Sequence, residues 1–331
     1  MKLNKAFNQI ISSYKLPTVL SRPMSTNNLS NQNALNYCAK IVRQHDYENF
    51  LATLLMTKSI RSPALVVRAF NVEVARIQDQ TTDPQTAAFR LQFWQDVLTK
   101  IYKKETALQN IPANPVAQEL YKICNCYSLQ RKHLERLISS RSNLLKSRFF
   151  RSLEDIEGYA EDAVSPTYYL LLKVADVKDL HADHAASHLG KAQGIANILR
   201  SIFVFNRHKM ISLPMDILMA NEVSQEQVLR GADSEKLRNV TFEIATRANS
   251  HLQKARKIKV PKIAKQIFLP AISVDKYLTN LQKSIRETRT GCQYGRPERE
   301  HMLGTRTSIH SDAYGAPNMC SRSGRPYGSP G

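Results

Sequence analysis

The sequence predicts an all-α protein, on three observations. From Tyr37 to about Glu287, apolar residues recur three and four positions apart. Ala, Leu, Gln, Lys, Arg and Glu dominate that stretch, and strand-like alternation is scarce. Turn-and-start signals such as Asp83-Pro84 punctuate it. At 42% hydrophobic residues in 331, the chain has apolar material for a large core, which excludes a wholly disordered protein.

The elements follow in order from local chemistry. Residues 1–25 read as a mitochondrial presequence. Leu3, Phe7, Ile10, Ile11 and Tyr14 form one apolar stripe, Lys2, Lys5 and Lys15 add charge, Ser12, Ser13 and Ser21 add hydroxyls, and no acid precedes Asp46. Arg22, just before Met24-Ser25, marks a processing neighbourhood. Residues 26–36 read as a linker, and 37–287 as one helical domain without internal repeats. A helix opens at Asp46 with acids in its first turn. Pro63 suits a helix start, continued by Leu65, Val66, Phe70, Val74 and Ile77. The next carries Phe89, Leu91, Phe93, Trp94, Val97, Leu98 and Ile101, and 110–115 is a loop. Further helices are expected over 116–127, 129–138, 153–163, 166–175, 183–204, 212–221, 224–230, 234–257 and 262–269. Residues 291–331 hold seven of the eleven glycines and few aliphatics, so 288–331 is expected to be a disordered Gly/Arg/Ser-rich tail.

Composition narrows the function. Lys plus Arg number 47 against 28 Asp plus Glu, a formal charge of +19. Such a surface suits nucleic acid, anionic lipid, phosphorylated ligands or an acidic partner. No helix-turn-helix, RNP or zinc-finger signature is present, so nucleic acid is not expected as a partner. No run approaches the roughly 18 apolar residues of a membrane-spanning helix. Five cysteines are too few and too irregular for a disulfide scaffold, and Cys124-x-Cys126 reads as core thiols rather than a metal or redox motif. His181, His184 and His188 share one helix face with Asp183 nearby; surface histidines are the expected reading, a metal site the alternative. No serine has a nucleophile-elbow context, and neither cofactor nor metal is expected.

A wider resemblance carries further. Arg90-Leu-Gln-Phe-Trp-Gln-Asp96 resembles the Arg-x-Gln-x-Trp signature of squalene and phytoene synthases. Gln193-Gly-Ile-Ala-Asn-Ile-Leu-Arg200, followed by Leu213-Pro214, is similar to a second signature of that family, and Tyr159 and Arg68-Ala-Phe-Asn-Val-Glu-Val74 fit its pattern. The resemblance implies an isoprenoid-synthase-type helical domain with a central cavity. Active members hold Mg²⁺ on two carboxylate motifs and use it to draw pyrophosphate off prenyl diphosphates. Here the first motif becomes Ala75-Arg76-Ile77-Gln78-Asp79, and Ser201, Val204 and Phe205 stand at acidic positions of the second. The family's Asp-x-Arg-Glu turn becomes Ser139-Ser140-Arg141-Ser142.

These departures lead to the expectation of a non-enzyme. Its vestigial cavity is expected to be apolar and elongated and still able to hold an anion, with Arg68, Glu73, Asp79, Arg90, Arg141, Tyr159, Gln193, Asn197, Arg200 and Arg207 as candidate residues. The Lys178–Gly194 run and Leu213-Pro-Met-Asp-Ile217 resemble one mitochondrial branch of the family, which serves in building respiratory complex I. That resemblance implies complex I assembly intermediates or subunits as partners, and peripheral contact with the matrix side of the inner membrane. A residual prenyl or lipid transferase using Glu73 and Asp79, and a module for anionic lipid, are the alternatives.

Overall fold

The computed structural model describes residues 26–81, 83–147, 149–202, 210–231 and 234–291. The expected presequence and nearly all of the expected tail lie outside them. Met1–Thr290 and Gly291–Gly331 are separate units. Among the described residues the regular elements are helices, and the one β feature is an isolated bridge between Phe149 and Ile211.

Helix α1 spans Thr26–His45, so the expected linker 26–36 is helical, and Cys38, Ile41 and Val42 face the core. Helix α2 (Tyr47–Leu54) follows at once. Helix α3 (Lys58–Arg76) starts one turn ahead of Pro63. Proline cannot donate to the carbonyl four residues back, and Tyr127 Oη donates to that Ser59 oxygen instead, at 3.4 Å. Helix α4 (Pro84–Ile101) starts as expected: the Asp83 carboxylate accepts from Gln85 N and Thr86 N at 3.2 and 2.9 Å. Its Trp94 meets Phe70 of α3 edge to face at 5.3 Å.

Helix α5 is Pro115–Tyr127, capped by Asn114. Helix α6, Arg131–Ser147, extends well beyond the expected end at 138 because Arg141 and Leu144 continue its buried face. Helices α7 (Leu153–Ala163) and α8 (Ser165–Val174) are nearly continuous. Helix α9 is Leu180–Arg200, with Asp179 as its cap. Short α10 (Met215–Ala220) and α11 (Gln225–Arg230, with a Ser224 capping box) lead to the long α12 (Glu235–Lys257). The expected helix 262–269 is a single turn, α13 (Lys262–Lys265), and the helical pattern expected to run on to about Glu287 takes the form of α14, Ala271–Gly291.

Helix α9 is the central element. From Leu189 to Leu199 all its residues but Lys191 and Asn197 are buried, so its second half lies inside the bundle. It packs on α7, α8 and α12. Its approach to the first two needs two glycines. A Cβ at Gly190 would lie 2.1 Å from Ser165 Oγ, and one at Gly194 would lie 2.3 Å from Ala160 Cβ and 2.8 Å from Ala160 Cα. Backbone cannot swing aside as a side chain can.

Gly194→Ala is therefore expected to destabilise the fold by about 2–3 kcal/mol through overpacking. Gly158→Ala, whose Cβ meets nothing within 4 Å, is expected to add about 0.5–1 kcal/mol from helix propensity alone. Urea unfolding of the two variants checks both signs.

Candidate functional site

The α1–α2 corner, the second half of α3, Arg141 of α6, the start of α8 and the second half of α9 surround a cavity of about 430 Å³. A neighbouring pocket of about 230 Å³ shares Ala75, Asp79, Arg141, Val164, Asn197 and Ser201 with it and reaches Tyr159. Together they form one elongated cleft. Helical spacing explains its walls: Arg68, Val72, Ala75 and Asp79 fall on one face of α3 and its end, and Gln193, Asn197 and Arg200 on one face of α9.

The expected apolar lining is corrected by the structure. Arg68, Arg76, Arg141 and Arg200 line the main cavity, with Asp46, Glu48 and Asp79, and Asn49, Asn71, Thr167, Gln193 and Asn197 lie between them. To this space α3 and its end turn Arg68, Asn71, Arg76 and Asp79 beside Val72 and Ala75, and α9 turns Gln193, Asn197 and Arg200, although most other buried residues of both helices are apolar.

Arg68 is the most constrained of these groups. It is 3% exposed, and its Nε and Nη2 donors have no partner among the described residues. Burial lowers its pKa, while Asp46 and Tyr168 favour its charge. Burial likewise raises the Asp46 carboxyl, which accepts from Asn49 Nδ2 at 2.8 and 3.0 Å. Arg141 is buried too: Nη1 donates to Leu137 O and Nη2 to Asn71 Oδ1, both at 2.8 Å. It makes no ion pair with a carboxylate among the described residues. Tyr168 Oη donates to Gln193 Oε1, tying α8 to α9. Arg200 pairs with Glu48 at 2.9 Å and lies over the Tyr277 ring. Thr167 Oγ1 and Asn49 Oδ1 are further buried polar atoms without a partner on this wall. An unmatched buried polar group costs about 1–3 kcal/mol, so this cavity rewards a polar occupant, and its two buried guanidiniums favour an anion.

Of the predicted residues, the structure brings Arg68, Asp79, Arg141, Gln193, Asn197 and Arg200 to the main cavity and Tyr159 to its extension. Glu73 points elsewhere and accepts from Tyr37 Oη of α1 at 3.3 Å. Arg90 sits on the exposed side of α4 and bonds Gln80 Oε1 at 3.2 Å. Arg207, Val204 and Phe205 lie outside the described residues. Sequence reasoning missed Asp46, Asn71 and Tyr168; Asn71, one turn beyond Arg68 on α3, carried the one available signal.

The donor set does not fit a divalent cation. Among the described residues no three His, Cys, Asp or Glu side chains come together to hold a metal ion, and four arginines line the same cavity as Asp79.

The other sequence candidates resolve separately. Cys124 is buried, and burial pushes its thiol up to about 12; Cys126 is exposed, which corrects the reading of both as core thiols. His181 and His184 are exposed as expected. His188 is half-buried, with its Nδ1 3.0 Å from Nδ1 of His251 on α12. His251 Nε2 faces Glu157 Oε1 of α7 at 3.1 Å, and Arg247 binds the same oxygen. That geometry assigns the Nε2 proton to His251 and the donated Nδ1 proton to His188.

Residues 42–297 match the squalene/phytoene synthase family. The chain is similar to "NADH dehydrogenase (ubiquinone) complex I, assembly factor 6" of Bos taurus, 38% identical over 249 residues, covering 75% of this chain and 73% of that one. It is also similar to the homolog of that factor in Drosophila melanogaster, 39% identical over 252 residues and 75% of each chain. The structure is similar to that of squalene synthase HpnC from Alicyclobacillus acidocaldarius, with a TM-score of 0.67 at 18% identity, covering 78% of this chain and 96% of that one. At that identity the likeness concerns the fold.

Burial holds His133, His188 and His251 below the ordinary histidine range, His133 at about 4. The unfolded chain protonates them near pH 6.5, so their contribution to stability is full above that value and is lost as pH falls through their lowered values. Asp46, raised by burial, works in the opposite direction. The urea midpoint is expected to fall between pH 7 and pH 5, and His133→Gln is expected to flatten that slope. A midpoint that is level or rises toward pH 5 contradicts the assignment of three neutral imidazoles.

Proposed function

The chain belongs to the squalene/phytoene synthase family, and on that premise we propose that it is a non-catalytic assembly factor for mitochondrial respiratory complex I. The relatives at 38–39% identity bear that role in their names. The presequence-like residues 1–25 supply a mitochondrial address. It acts early, at the matrix face of the inner membrane, on assembly intermediates or subunits of the complex and in peripheral contact with the bilayer. No helix among the described residues is long and apolar enough to cross a membrane.

One observation carries the non-catalytic part. Buried, unmatched Arg68 lies on a cavity wall with Ala75, Arg76 and Ser201, which the sequence resemblance sets at positions of the family's carboxylate motifs. Ionising an allylic diphosphate needs a divalent cation bridging its oxygens while the carbon–oxygen bond breaks. Arginines alone bind a diphosphate through charge-assisted hydrogen bonds, but they do so in the ground state as well, and uniform binding gives no rate. The cavity is therefore a holding site for an anion. Arg68 and Arg141 supply its buried positive charge, Arg76 and Arg200 its mouth, and Gln193 and Asn197 its neutral donors.

Two outcomes are expected. Cells depleted of the protein lose complex I activity selectively, and this 331-residue chain restores it; unchanged complex I would sink the assembly role. The purified protein releases no pyrophosphate from prenyl diphosphates with Mg²⁺, and measurable turnover would return the transferase reading. Separately, inorganic pyrophosphate without Mg²⁺ is expected to raise the melting temperature by about 5 °C when present at about a hundredfold over its Kd. Arg68→Met should remove most of that shift, and an identical shift in wild type and variant argues against the buried arginine as the anion's partner.

A further inference from the structure

The unit also carries a charged face remote in sequence from the cavity residues. Between Glu243 and Asp275 the chain has no acid and seven basic residues. Arg247 and Arg256 are paired, with Glu157 and Asp275. Lys257, Lys259, Lys262 and Lys265 are exposed and have no ion-pair partner among the described residues. They occupy the end of α12, the connection after it and α13. Among them Ile263 is 45% exposed.

A second segment is held beside the first. Gln266 Oε1 accepts from Thr57 N at 2.7 Å, and Gln266 Nε2 donates to Ile263 O at 3.1 Å. One side-chain amide thus joins the α2–α3 corner to α13. That corner carries Leu55 at 72% exposure, Leu54 at 39% and an exposed, unpaired Lys58. Each exposed aliphatic here has lysines close by in its own segment, Lys58 after Leu54 and Leu55, and Lys262 and Lys265 about Ile263, and no acid stands between Glu48 and Glu73 or between Glu243 and Asp275.

We propose that this composite face docks on an anionic phospholipid bilayer, which deepens the reading of peripheral membrane contact and rests on it. Lysine stems lie along apolar surface while their ammonium groups reach phosphates at the interface. Leu55 and Ile263 then enter the acyl boundary, where leaving water is favourable. An acidic protein or a nucleic acid would meet the lysines equally well, but it gives the exposed aliphatics nothing to enter, and no aromatic of this face offers bases a stacking platform.

The test is sedimentation of the full chain with vesicles of phosphatidylcholine alone and of phosphatidylcholine doped with cardiolipin, at low and high salt. Binding is expected only to the doped vesicles, and weaker at high salt. Each interfacial lysine contributes about fivefold, so replacing Lys257, Lys259, Lys262 and Lys265 by Ala together should weaken binding by several hundredfold, on the order of 600-fold. Leu55→Ser with Ile263→Ser should weaken it by about tenfold. Replacing exposed Lys100, Lys103, Lys104 and Lys132 by Ala, a matched loss of charge elsewhere, should cost much less than the first set. All are exposed, and unchanged melting temperatures confirm folding. Equal binding to both vesicles, no binding to either, or equal losses from the two lysine sets would overturn the proposal. So would lysine-dependent binding that ignores Leu55 and Ile263, which would mean that charge alone holds the protein at the vesicle and no aliphatic enters it. The assay does not score complex I, so its failure leaves the assembly role standing, whereas unchanged complex I in depleted cells strikes that role alone.

Discussion

Helix α9 can lie against α7 and the start of α8 because residues 190 and 194 carry no Cβ, and the surrounding arrangement is built on that approach. Backbone atoms of Ser165 and Ala160 stand where side-chain carbon would otherwise be. With the helix seated at this depth, its 3.6-residue period turns Gln193, Asn197 and Arg200 to the cavity and His188 to α12. Tyr168 and Gln193 then fix α8 to α9 from the side of the cavity. A shift of α9 by one turn would misplace cavity and histidine contacts together, because they project from opposite faces of one rigid rod.

The cavity's charge is a second consequence of depth. Arg68 and Arg141 come from helices whose other buried positions are almost all apolar, so their guanidiniums have little polar protein to meet. Arg141 finds a carbonyl and an amide oxygen; Arg68 is left with two unmatched donors and a carboxyl, Asp46, itself raised by burial. Two cations in a low-dielectric wall without close carboxylates are costly. A bound anion would offset that cost by satisfying the donors and the field at once. On the proposed reading this arrangement retains a charged group, and among the described residues no three His, Cys, Asp or Glu side chains cluster to hold a hard cation.

Local rules made much of the secondary structure legible. Starts near 84, 153, 225 and 235 follow from Asp83, Ser152, Ser224 and Ser234, whose side-chain oxygens accept from the first-turn amides. Such contacts span three residues and are written wholly in the local sequence. The start of α1 and the bounds of α14 were harder to read: Ser25 and Pro270 stand just before them, but the apolar positions behind those signals are widely spaced among polar residues.

The sequence by itself determined the all-α class, the basic character and the motif resemblance that marks the family, since each depends on residue identity and near spacing. Only the tertiary structure decided which residues share the cavity. Glu73 and Asp79 are six apart on and just past α3, yet one meets α1 and the other lines the cleft, since a face is chosen by rotation about the helix axis. Asp46, Arg68, Arg141 and Gln193 are brought together from four elements, and His188 and His251 from positions 63 apart. Periodicity tells which side of a helix leaves water; it cannot tell what stands on the other side. That is why the cavity, expected to be apolar, proved to be lined by arginines.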